Sequence, residues 1–101
     1  MDENIAVDRL VEQVIEYARG RHNDVERGAE TPRLAALLLQ KYGRGMADAV
    51  ALIFETPRAA DRIVRQVDEE TSRIDPAWRE HDRERWVARP ADIVDPQNMR
   101  P

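Results

Sequence analysis

Residues 31–58 read TPRLAALLLQKYGRGMADAVALIFETPR, and two apolar runs in this stretch meet at a pair of glycines. Thr31 followed by Pro32 is a helix start. The Thr hydroxyl accepts from a first-turn N–H that has no other partner, and a proline at the first helical position gives up an N–H that had none. Leu34, Leu37, Leu38 and Tyr42 then recur at helical spacing, with Leu39 and the alanines making the segment apolar on most sides. Gly43 is a natural stop. Beyond it, Met46, Val50, Ile53 and Phe54 fall at offsets 0, 4, 7 and 8, the inward face of a second helix. The expectation is an antiparallel hairpin that turns on Gly43 and Gly45 and supplies the core.

The tetrapeptide ETPR occurs twice, at Glu30–Arg33 and Glu55–Arg58. LAALLLQKYG follows the first copy and AADRIVRQVDEE the second, so one is followed by a buried pattern and the other by a half-exposed one. The shared residues are those that start helices, which favours one capping device used twice over a duplicated unit.

Upstream, Val7, Leu10, Val11, Val14, Ile15 and Ala18 form one apolar stripe, with Asp2 or Asn4 as cap and Gly20 as stop. Residues 21–30 read as a polar loop. Downstream, Ala60, Ile63, Val64, Val67 and Ile74 mark a fourth helix after the second ETPR. Asp75 and Pro76 start a charged fifth helix, AWREHDRERWVA. Residues 89–101 hold three of the six prolines and read as an extended arm. The expected fold is all-α: a compact bundle of four to five helices over 1–88, with the arm at 89–101.

Composition narrows the function classes. The 101 residues suit a single core, and only five of them are aromatic, which fits helices better than sheets. A net charge of −4 argues against a general coat for nucleic acid. Fifteen arginines stand against one lysine, Lys41. Arginine suits planar bidentate contacts to carboxylate or phosphate, although a GC-rich genome gives the same bias. With no cysteine, disulfides and thiolate chemistry are excluded. No signal peptide is recognisable, and the run from Ala49 to Phe54 is too short to cross a bilayer, so a cytoplasmic protein is expected.

Three features bear on chemistry. MADAVALIFETPRAADRIVRQV resembles a helix-turn-helix, with Arg58, Arg62 and Arg65 on one outward face able to reach phosphates or guanine edges of duplex DNA. Two departures weaken that reading. Phe54 stands where the motif places glycine, and Glu55 where it is usually apolar. Acidic neighbours also offer intrahelical pairs: Arg58–Asp61, Asp61–Arg65, Arg65–Glu69 and Glu69–Arg73. The second feature is a pair of tryptophans on a charged helix. Trp78, Arg85 and Trp86 are candidate contacts to a partner protein, or else Trp78 and Trp86 dock on the bundle or in a homodimer seam. The third is acid–base or metal chemistry, for which the signal is poor. His22 and His81 are the only histidines and neither is read as part of a ligand cluster. Ser72 is the only serine, and no phosphate-binding glycine loop occurs. No cofactor and no enzyme activity are expected. The leading expectation is a non-enzymatic helical module that binds another protein or itself; the alternative is a DNA-binding regulator.

Overall fold

The computed structural model describes residues 2–80. Three α-helices run Glu3–Glu26 (α1), Pro32–Ile53 (α2) and Arg58–Ile74 (α3), followed by a single 3-10 turn, Trp78–Glu80. They form an up-down-up bundle. Asp8 pairs with Arg62 near the N-termini of α1 and α3, and Tyr17 stacks on Tyr42 where α2 runs back alongside α1. The all-α expectation holds, but the described residues contain three helices, not four or five.

Each change in the helix count has a local cause. Gly20 does not stop α1. The helix runs on through it to Glu26, and a Cβ there would meet nothing within 4 Å. The expected loop at 21–30 is largely the last turns of α1, laced by Arg21–Asp24 at 2.8 Å, Arg27–Asp24 at 2.6 Å and His22–Glu26 at 3.1 Å. The stop comes at Gly28, with φ 77°. There the Gly28 N–H reaches the Val25 carbonyl (3.0 Å) and the Ala29 N–H reaches that of Asp24 (2.8 Å), a Schellman closure.

Gly43 and Gly45 do not turn the chain either; both lie inside α2. Gly43 is there because α3 comes close. A Cβ would overlap Cγ2 of Val67 and sit 3.0 Å from its Cγ1. The two arms of the expected hairpin are thus one helix; the hairpin that is present joins α2 to α3 and turns at residues 54–57. A second Schellman closure ends α2, with Thr56 N–H on Ala51 O (3.1 Å) and Glu55 N–H on Leu52 O (3.3 Å). The left-handed position that Gly28 fills in the first closure is held in the second by Glu55, with φ 54°.

Thr31 caps α2 as expected, accepting from the Leu34 N–H at 3.1 Å with Pro32 in the first turn. The second ETPR works differently. Pro57 is already in helical conformation and α3 begins at Arg58, whose N–H donates to the Thr56 hydroxyl at 3.3 Å. Asp75 ends α3 in extended conformation. Of the expected fifth helix, only the turn Trp78–Glu80 lies within the described residues, and the arm at 89–101 lies outside them.

Val7, Val14 and Ala18 of α1 meet Ala35, Leu39, Ala47 and Val50 of α2 and Ala59, Ile63, Val67 and Ile74 of α3. Because α2 is unbroken, its phase carries through Gly43. Leu39, Gly43 and Val50 face inward, while Tyr42 sits at the edge and Ile53 turns out to solvent, contrary to the hairpin expectation. Across the α2–α3 seam, the buried Gln40 donates from Nε2 to Asp68 Oδ1 and Thr71 Oγ1, both at 3.0 Å, and the Thr71 hydroxyl donates to Val67 O at 2.6 Å. Arg44 closes the network on Gln40 Oε1 (3.3 Å) and Asp68 Oδ1 (3.2 Å).

Gly43→Ala is expected to destabilise the fold, because overpacking at about 1–3 kcal/mol outweighs the roughly 1 kcal/mol gain in helix propensity. Glu55→Gly, which relieves the left-handed turn, is expected to stabilise it by about 1 kcal/mol. Urea unfolding checks both. Equal effects of the two changes would mean that neither backbone constraint is felt.

Candidate functional site

Trp78 is only 2% exposed. The 3-10 turn folds it back over α2, where it packs on Ala36 and Leu37 with Leu34 alongside. Its indole N–H donates to Ser72 Oγ at 2.9 Å, and the Arg79 guanidinium lies 4.4 Å from the ring centroid. Of the two roles open to Trp78, docking on its own bundle is the one this geometry serves. Arg85 and Trp86 lie outside the described residues.

Arg58, Arg62 and Arg65 do share one face, and all three line a cleft of about 300 Å³ with Glu3, Asn4, Val7 and Asp61 between the first turns of α1 and α3. The structure brings the three arginines together, but Arg58 and Arg65 do not take their expected intrahelical partners. Arg62 pairs with Asp8 of α1, an exposed bridge worth about 0–1 kcal/mol. Arg58 and Arg65 make no ion pair among the described residues, and Arg73 pairs with Glu70 at 2.9 Å, not with Glu69. α3 also lies antiparallel along α2, from the turn at 54–57 past Gln40–Thr71 to Trp78 over Ala36. A helix-turn-helix crosses its two helices at roughly 90–120°.

A second cluster, absent from the sequence reading, sits where α1 gives way to α2. Tyr17 and Tyr42 stack with centroids 4.0 Å apart, and Arg21 lies 5.3 Å from the Tyr17 centroid. Arg21 also binds Glu30 Oε1, tying the connection back onto α1. The Glu30 side chain is 9% exposed, and its Oε2 is buried with no hydrogen-bond partner. Burial raises the Glu30 carboxyl above its ordinary 4.5; Arg21 pulls it down and Asp24 pushes it up. Burial likewise raises the Tyr17 hydroxyl. Tyr–Arg–Glu spacing of this kind crosses a helix stop, so no periodicity could have shown it.

His22 stands one turn before Glu26, a spacing passed over in the sequence, with Nε2 3.1 Å from Oε1. No third ligand joins them, and no group of three metal-binding side chains occurs among the described residues. None of the described helices is long and apolar enough to cross a membrane.

The remaining candidate is the outer face of α2. Lys41, Gly45, Asp48, Ala49, Leu52 and Ile53 are all exposed, Leu52 at 79% and Ile53 at 72%. Ile5, half exposed on the first turn of α1, stands at the same end of the bundle. By helical phase Ile53 lies within about 60° of the buried Leu39 and Val50, yet it is exposed, standing as the last residue of α2.

Glu30→Gln tests the buried carboxyl. A folded-state value raised above 4.5 means the native state holds its proton longer than the unfolded chain. Its stabilising contribution is therefore full below 4.5 and is lost as pH rises through the folded value. The stability of Glu30→Gln relative to the parent is expected to climb as pH rises above 4.5 and to level off once the native-state carboxyl is ionised, as read in urea titrations. A flat difference would show that the carboxyl pays no burial penalty. Comparison of the chain with known protein families, curated proteins and solved structures finds no match.

Proposed function

We propose that this chain is a small non-enzymatic helical protein-binding module, a regulator, inhibitor or assembly factor, that engages its partner through the outer face and C-terminal end of α2. The observation that carries this reading is the exposure of Leu52 and Ile53, side by side on a helix that is buried on its opposite face. Each such side chain contributes on the order of 1.5–3 kcal/mol when fully buried, so two adjacent ones make a compact anchor. Ile5 and Ala49 extend the apolar surface around them. Arg85 and Trp86 are proposed as further contacts to the same partner.

A second reading has one observation in its favour. Arg58 and Arg65 have no ionic partner among the described residues and line one cleft with Arg62, an arrangement that suits the phosphates of duplex DNA.

A photo-crosslinking residue in place of Leu52 is expected to yield protein adducts in the cell, lost on adding Ile53→Gln, while the same residue in place of Glu12 yields none. Equal yields at both positions, or none at either, would refute the α2 reading. For the second reading, a salt-dependent mobility shift with duplex DNA should vanish in Arg58→Ala/Arg65→Ala and strengthen in Asp8→Asn, which frees Arg62. No shift at low salt removes it.

A further inference from the structure

We infer that the partner on the outer face of α2 is a second copy of this chain, packed antiparallel, α2 against α2, with Gly45 at the crossing. This rests on the protein-binding reading above and names its occupant. Lys41, Gly45, Asp48 and Leu52 fall at offsets 0, 4, 7 and 11. At about 100° per residue they share an arc of roughly 60°, opposite the buried Leu39, Gly43 and Val50.

Three features of this arc point to a copy of itself. The first is Gly45. A glycine inside an exposed helix weakens it relative to alanine. Gly43 is explained by Val67, but a Cβ on Gly45 would meet nothing within 4 Å in its own chain. Close approach of another backbone gives the second glycine a reason. The second feature is charge. Lys41 and Asp48 are exposed and make no ion pair among the described residues, and they lie four residues before and three after Gly45. A two-fold axis passing between residues 44 and 45 sets Lys41 opposite the partner's Asp48, and repeats the pair by symmetry. An unrelated partner would have to present the opposite charges in the matching order; a second copy does so by construction. The third is apolar fit. In that register Leu52 is level with position 37 of the partner, one residue from the partner's Leu38, which is half-buried in its own bundle, so the most exposed leucine gains an apolar neighbour.

Sedimentation equilibrium of the full chain from micromolar to millimolar concentration tests this. A reversible monomer–dimer equilibrium is expected. Leu52→Gln should raise the dissociation constant about tenfold or more, with circular dichroism unchanged. Gly45→Gln should weaken the dimer in the same way while raising the monomer's thermal midpoint, since glutamine is a better helix former. Lys41→Asp and Asp48→Lys should each weaken it about two- to fivefold, the range of an exposed ion pair, and together restore it. A monomer at millimolar concentration, a dimer indifferent to Gly45→Gln and Leu52→Gln, or a charge swap that fails to restore affinity would each overturn the inference. The adduct at position 52 separates this failure from that of the protein-binding reading. An adduct of twice the 11.7 kDa chain mass supports both, and one of any other mass, from a chain that is monomeric, supports the module and overturns the self-pairing.

Discussion

The close approach of α3 to α2 at Gly43 governs most of the architecture. With no Cβ at that position, Val67 settles against the backbone of α2, and the two helices lie near enough for Leu39, Val50 and Ile63 to pack together between them. At that separation the amide of Gln40 can reach both Asp68 and Thr71. A buried amide with its partners in place fixes the register of the two helices, because sliding by one turn would strand it. α1 then packs on the pair through Val7, Val14 and Ala18.

The same constraint sets what faces outward. A glycine that would end a helix in isolation is held helical here, so the phase of α2 runs unbroken from Pro32 to Ile53. Burying Leu39, Gly43 and Val50 obliges Lys41, Gly45, Asp48 and Leu52 to point away. The surface offered for binding is thus the geometric complement of the core, and its two charges and its spare glycine are the features that the intramolecular packing leaves unused.

The arginine row on α3 divides in a similar way. Helical spacing offers Arg58 and Arg65 acidic neighbours on their own helix but none to Arg62, whose partner Asp8 comes from α1 because α1 and α3 run parallel with their first turns side by side. Trp78 was drawn inward by a turn too short to project it: the chain reverses after Asp75, and the indole lands on the alanine face of α2.

Taken alone, the sequence determined the helical class, the apolar stripes of α1 and α3 and the Thr31 cap, since each depends on residues within one or two turns of one another. It also grouped Arg58, Arg62 and Arg65 on a single face. What only the tertiary structure decided is whether a glycine stops a helix or lets a neighbour approach, and hence the helix count; it also decided the exposure of Ile53 and the burial of Gln40, Glu30 and Trp78. Glycine's local preference is worth about 1 kcal/mol. Packing of several large side chains outweighs it, and which of them meet is a property of chain segments distant in sequence.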